Sequence, residues 1–273
     1  MDFGMPTLLE TKTLEECAAL CSALGLRFIE LNMNLPQYQP DNIDTELFRD
    51  IAKRYGVYYT IHLDENLNPC DFNSLVRKAY VQTALQTIEM AKAIQAPVVN
   101  MHLHHGVHFK LPGEKAYLFD AYLDTYLGSL REFQDACEKA VGDSGIMICV
   151  ENTDGHHYQF AQKALALLLK SPVFALTYDI GHNFCIGGGD EQIILHYRDR
   201  LRHMHMHDAA GIKCHLALGD GEIDIPQYAA LAEELDLRVV LETKTAEGLR
   251  RSVEYVRGML GKMTCITNGI PKG

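Results

Sequence analysis

The sequence predicts an α/β chain folded as a single (β/α)8 barrel, and three observations carry that expectation. Eight short apolar runs alternate with longer amphipathic segments along the whole chain, the pattern of a parallel sheet wrapped by helices. A length of 273 residues suits one closed barrel of roughly 250 residues better than two average domains. Connections leaving the apolar runs are long and those entering them are terse, the asymmetry of a barrel that carries its chemistry on the C-terminal strand ends.

In chain order the strands are expected at residues 5–9 (MPTLL), 28–32 (FIELN), 57–62 (VYYTIH), 97–102 (PVVNMH), 146–151 (IMICVE), 174–179 (FALTYD), 201–206 (LRHMHM) and 238–242 (RVVLE). Segments between them, such as LEECAALCSAL, ELFRDIAKRYG and LDTYLGSLREFQDACEKAV, space apolar residues three and four apart and predict helices. The long connections NPCDFNS, LHHGVHFKLPGEK and DAAGIKCHLALGDGEIDIP follow the third, fourth and seventh strands, whereas a turn at Gly56 and the short SPV lead into strands. No linker or charge block divides the chain, so residues 1–273 are expected to form one domain, with MTCITNGIPKG a tail over about 262–273.

Composition narrows the function classes. Lys and Arg number 25 against 36 Asp and Glu, a formal charge of −11 that repels a phosphate backbone, and no basic run offsets it, so nucleic acid is not an expected partner. No apolar run approaches the roughly 20 residues that cross a bilayer, and MDFGMPTLLE lacks a signal peptide's basic start. The expectation is a cytoplasmic protein without a membrane partner. The eight cysteines are scattered with no C-x-x-C, which points to reduced thiols.

Six of the expected strands end on a residue able to bind a metal: His62, His102, Glu151, Asp179, His205 and Glu242. Their separations of 40, 49, 28, 26 and 37 residues are each about one βα unit, so a closed barrel brings all six to one rim. Alternation along a strand puts His203, His205 and His207 on one face and Met204 and Met206 on the other; Cys149 shares the parity of Glu151. Inward carboxylates and imidazoles are costly to bury without a charge partner, and a divalent cation supplies one. The surest ligands are Glu151, Asp179, His205 and Glu242. Three carboxylates, one imidazole and no thiolate suit Mn2+, Mg2+ or Co2+, with Zn2+ also compatible.

The run ICVEN, then YDIGH, then HMHMHDA followed by HLALGDGEIDIP, then VVLET, resembles the xylose isomerase-like, or sugar phosphate isomerase/epimerase, superfamily of TIM barrels. That superfamily includes ketohexose 3-epimerases, endonuclease IV and inosose dehydratase. The likeness covers strands three to eight, and its motifs specify the superfamily well and the substrate poorly. In the epimerase branch it implies one metal on Glu151, Asp179, His205 and Glu242, with Glu151 and Glu242 doubling as the catalytic acid–base pair and His182 contacting substrate. In the endonuclease IV branch it implies a three-metal site that adds His62, His102, His182, His215 and an aspartate two residues before His215. This chain has Lys213 at that last position, which weakens a third metal site.

The first functional expectation is therefore a metal-dependent isomerase or epimerase of a small carbohydrate, in which the metal stabilises an enediolate while the two glutamates move a proton. His182 and Lys213 would hold hydroxyl or anionic groups, with Glu65, His104 and His207 as further contacts. Two alternatives stand beside it: an endonuclease IV-like phosphoesterase, supported by His62, His102, His182 and His215, and an inosose dehydratase-like lyase. Substrate identity, its phosphorylation and the oligomeric state, a homo-oligomer included, stay open.

Overall fold

The computed structural model describes residues 1–153 and 155–267. Its strands are β1 (Asp2–Pro6), β2 (Phe28–Asn32), β3 (Tyr58–His62), β4 (Val98–His102), β5 (His108–Leu111), β6 (Glu114–Tyr117), β7 (Met147–Glu151), β8 (Phe174–Asp179), β9 (Leu201–Met206), β10 (Asp208–Ala210), β11 (Lys213–Leu216) and β12 (Arg238–Leu241). The helices are α1 (Leu14–Ala23), α2 (Thr45–Tyr55), α3 (Ser74–Ile94), α4 (Leu118–Ala121), α5 (Leu123–Val141), α6 (Gln159–Leu168), α7 (Ile180–Cys185), α8 (Glu191–His196), α9 (Ile225–Glu234) and α10 (Ala246–Thr267). Eight strands close in the order β1-β12-β9-β8-β7-β4-β3-β2, and every pairing in the ring is parallel. The expected (β/α)8 barrel is the fold.

Local chemistry sets the element ends. Helix α2 starts where the Asp44 side chain accepts from the Glu46 and Leu47 N–H groups, and stops at Gly56, whose φ of 67° suits a residue without Cβ. Seven barrel strands fall within a residue of their expected starts and ends. The first does not: β1 is Asp2–Pro6 rather than 5–9. Gly4 lets the chain come against the Phe28 ring, where an added Cβ would lie 2.5 Å away. Pro6, which has no N–H to give a ladder, ends the strand, and Leu8 and Leu9 turn into the rim.

Parity divides the interior. Ile148, Val150, Met204 and Met206 join the large core between barrel and helices, while Val98, Cys149 and Ala175 form a small cluster of their own. The loops after β4 and β9 carry two antiparallel hairpins, β5–β6 and β10–β11, which no apolar alternation announces. The turn at Gly113, with φ 93°, is the one local cue to the first. Helix α10 runs to Thr267, into the stretch expected to be tail; residues 268–273 lie outside the described residues. No helix among the described residues is long and apolar enough to cross a membrane.

Candidate metal centre and active site

Register brings the strand-end residues together. His102 lies beside Glu151 across β4–β7, Asp179 beside His205 across β8–β9, and His205 beside Val240 across β9–β12. The Nδ1 of His205 then sits 3.3 Å from Glu151 Oε1, 3.1 Å from Glu242 Oε2 and 3.8 Å from Asp179 Oδ2. Four residues from four strands thus converge on one point. His182, on the first turn of α7, joins them, with Nδ1 3.0 Å from Asp179 Oδ2 and 3.6 Å from Glu151 Oε1.

A second group gathers on the far oxygen of Glu151. His62 Nε2 lies 3.3 Å and His102 Nε2 3.6 Å from Glu151 Oε2. The other ring nitrogen of His62 is 2.7 Å from the Leu63 carbonyl, an arrangement that orients Nε2 toward the carboxylate. On the opposite side, Glu242 Oε1 meets His215 Nε2 at 3.3 Å and receives a hydrogen bond from Lys244 Nζ at 2.8 Å.

Burial and charge act against each other throughout. Burial raises the carboxyl groups of Glu151, Asp179 and Glu242, but imidazoles overcome it and hold all three below the usual range: His205 for Glu151 and Glu242, His207 and His182 for Asp179. Burial lowers the imidazoles, yet Glu151 lifts His62 to about 9, Asp179 lifts His182 to about 11, and Glu151 with Glu30 lifts His205 well above its ordinary value. His102, where burial outweighs Glu151, falls to about 4. Without a metal, the carboxylates are compensated by imidazolium protons.

The donor set fits a divalent cation. His205 Nδ1, His182 Nδ1 and Glu242 Oε2 are buried, and none makes a well-directed hydrogen bond, although oppositely charged partners are close. Buried polar atoms aimed at a shared point rather than at each other are what a missing common partner leaves. Oxygen and imidazole donors without thiolate match Mn2+, Mg2+, Co2+ or Zn2+.

A cavity of about 870 Å3 opens over the cluster, lined by Glu151, His182 and Glu242 together with His62, His102, His104, His215, Glu65 and Lys244, and by Leu8, Leu9 and Leu35 on the β1–β2 side. Glu65 and His104 thus belong to the cavity wall. Lys213 is exposed at the tip of the β10–β11 hairpin and does not line the cavity. His207 is wholly buried, its Nε2 3.1 Å from Asp179 Oδ1 and its Nδ1 accepting the His215 N–H at 2.8 Å, so it braces Asp179 from behind.

Several residues of the site were not singled out by the sequence reasoning. Glu30, in the middle of β2, is buried; burial raises its carboxyl but His205 and His203 hold it low. Asn152 clamps the end of β8, accepting the Asp179 N–H at 2.8 Å and donating to the Asp179 carbonyl at 2.9 Å. Their only sequence signal was a polar residue in the middle of an apolar strand, for Glu30, or next to a strand end, for Asn152. The expectation of reduced thiols holds for Cys17, Cys21, Cys70, Cys137 and Cys149, which are free and buried. Cys185 and Cys214 instead form a disulfide joining α7 to β11; they are 29 residues apart, and only the fold of the hairpin onto α7 brings them together.

Comparison with known proteins agrees with this architecture. A model of the xylose isomerase-like TIM barrel family matches residues 18–259. The uncharacterized protein MJ1311 of Methanocaldococcus jannaschii is 27% identical over 236 residues, 81% of this chain and 75% of its own length. MJ1188 of the same organism is 24% identical over 214 residues, 75% of this chain and 73% of its own. Among solved structures, a D-tagatose 3-epimerase-like protein superposes with a TM-score of 0.77 at 23% identity, covering 98% of this chain and 100% of that one. The 3-keto-D-glucoside 4-epimerase YcjR from E. coli gives 0.75 at 16% identity, covering 94% and 99%. At such identities the likeness to solved structures is one of fold, whereas the family match takes in seven whole barrel strands and every residue of the cluster. The chain belongs to the xylose isomerase-like TIM barrel family.

Proposed function

We propose that the protein is a divalent-metal-dependent isomerase or epimerase of a sugar, sugar acid or cyclitol, with Glu151 and Glu242 as its acid–base pair and Glu151, Asp179, His205 and Glu242 as metal ligands. The supporting observation is the way each glutamate divides its two oxygens. Glu151 Oε1 and Glu242 Oε2 flank His205 Nδ1 at 3.3 and 3.1 Å, while their second oxygens face other groups that line the cavity. Strands β8 and β9 separate β7 from β12, so the two carboxylates approach a bound molecule from different sides. The sugar epimerases of the same fold act on substrates of this class.

A bound divalent ion would polarise a carbonyl and stabilise the charge left when the neighbouring C–H is ionised. One glutamate takes that proton and the other returns it to the opposite face. His182, Glu65 and His104 hold hydroxyl groups, and the leucines of the β1–β2 wall exclude water from one side. Incubation of the protein with Mn2+ and a panel of ketoses and aldoses in D2O should place deuterium on carbon, with Glu151→Gln and Glu242→Gln each losing at least 100-fold in rate while keeping the fold. A panel that gains no carbon-bound deuterium would reject proton transfer as the reaction.

One observation favours a second reading, a phosphoesterase of the endonuclease IV kind: His62 and His102 both face Glu151 Oε2, a place for a second ion. The charge of −11 speaks against DNA as its substrate, and Lys213 stands where the likeness to endonuclease IV implies an aspartate ligand of a third metal. Metal analysis separates the readings, since one exchangeable ion per chain supports the isomerase and two or three tightly held zinc ions support the phosphoesterase.

A further inference from the structure

Beneath the ligand rim, polar side chains from five barrel strands touch in a closed ring. Glu30 Oε1 lies 2.7 Å from His205 Nε2, and Glu30 Oε2 lies 3.3 Å from His203 Nε2, both as close ion-pair contacts rather than well-directed hydrogen bonds. His203 Nδ1 is 3.3 Å from Thr177 Oγ1, which donates to Asn100 Oδ1 at 2.6 Å. Asn100 Nδ2 in turn donates to Glu151 Oε2, and Glu151 Oε1 closes the ring on His205 Nδ1 at 3.3 Å. Thr60, the register neighbour of Glu30, donates to Glu30 Oε2 at 3.2 Å. Glu30 is only 2% exposed, and Asn100, Thr177, His203 and His205 are fully buried.

A carboxylate in such a place is expensive unless it does something for its neighbours. His205 has two ring nitrogens, and they face opposite ways: Nδ1 toward Glu151, Asp179 and Glu242, Nε2 toward Glu30. A nitrogen that ligates a cation must offer its lone pair, so the ring proton has to reside on the other nitrogen. We propose that Glu30 is a positioning residue for His205, holding the ring proton on Nε2 and fixing the ring so that Nδ1 presents its lone pair to the metal centre; this role rests on the metal reading above. The remainder of the ring acts the same way on the other side, where Asn100 pins Glu151 Oε2 and leaves Oε1 for the shared point. Glu30 is 2% exposed at the floor of the cavity, and on this account it acts through His205.

The test uses Co2+ as probe, read by calorimetric titration and by the visible absorption of the bound ion, on the full-length protein and on Glu30→Gln. Gln keeps the size and an acceptor oxygen but removes the charge. Co2+ binding weaker by about 10- to 100-fold and a changed Co2+ spectrum in the folded protein are the expected results, because a merely structural residue would move only the thermal midpoint without metal and leave the affinity and spectrum of the folded fraction alone. If Glu30→Gln proves insoluble, Thr60→Val, which removes the hydroxyl that anchors Glu30, should weaken Co2+ binding in the same direction and by less. Parent-like affinity and spectrum in Glu30→Gln, or in Thr60→Val where that variant decides, overturn the positioning role while leaving the metal reading intact. A parent protein that binds no Co2+ overturns both.

Discussion

His205 shows why a single imidazole can organise an entire barrel mouth. Its ring joins Glu30 in β2 to carboxylates ending β7, β8 and the β12 edge, so the cost of burying four acids is shared through one group. The same contacts give the metal-free protein a definite pH dependence. His62 is lowered by burial and raised more strongly by Glu151 and Glu30, to about 9. A group raised above its unfolded value of about 6.5 contributes stability that is complete below that value and is lost as pH rises through the folded one. Glu151, Asp179 and Glu242 are held low, so their contribution is present above about pH 4 and is lost as pH falls through their folded values. The metal-free protein should therefore melt highest near about pH 6.5, measured by thermal denaturation in EDTA. His62, His182 and His205, all raised, lose their contribution as pH climbs above it, at least on the order of 3 kcal/mol by about pH 9, and His102, held at about 4, withdraws stability as pH falls below it. A flat profile across 6.5–9 would show that none of these imidazoles carries a proton between the carboxylates. Divalent-ion binding should strengthen over the same window and release protons, detectable by calorimetry in buffers of different ionisation enthalpy.

At the scale of an element, the connection after β9 is held by one side chain. Asp208 Oδ1 accepts the N–H groups of Ala209 at 2.9 Å and Ile223 at 3.1 Å, and Oδ2 those of Gly219 and Gly221, both at 2.9 Å. Gly221 is required at its position, since a Cβ there would lie 2.3 Å from the Ala209 carbonyl oxygen and from Asp208 itself. This folded loop supports the β10–β11 hairpin and hence His215, whose φ of 59° a side-chain-bearing residue adopts only under constraint. Asp208→Asn halves the acceptor capacity and removes the charge, which should cost roughly 2–4 kcal/mol. Hydrogen exchange should find the Gly219, Gly221 and Ile223 amides exposed in that variant while the β1–β4 amides keep their protection. Equal protection in both proteins would assign the loop's order to its other contacts. The sequence displayed Asp208 only as the penultimate residue of HMHMHDA; the four amides that make it structural come from up to 15 residues away.

Across the whole molecule the proposed metal centre would stabilise the barrel, because Glu151, Asp179, His205 and Glu242, from β7, β8, β9 and the end of β12, come together only in the closed ring. Mn2+ or Co2+ at about 100 times its dissociation constant should add about 2.7 kcal/mol, a rise in thermal midpoint of roughly 5–10 °C for a chain of this size, reversed by chelation. An Asp179→Asn variant should lose most of that rise. A midpoint indifferent to the ion would argue against a site built from these residues.

The sequence by itself determined the barrel and the identity of its rim. Period-two alternation and βα spacing are local properties, so His62, His102, Glu151, Asp179, His205 and Glu242 were legible as strand ends facing one way. The tertiary structure alone decided what lies behind and beside them: that Glu30 touches His205 and Asn100 touches Glu151, that His207 supports Asp179 and Lys213 is exposed outside the cavity lining, that β1 begins at Asp2, and that Cys185 meets Cys214. The reason is physical. Strand parity fixes which face a side chain takes, but contact partners depend on barrel closure, register and the folding of loops, which set distances between residues that no local pattern connects.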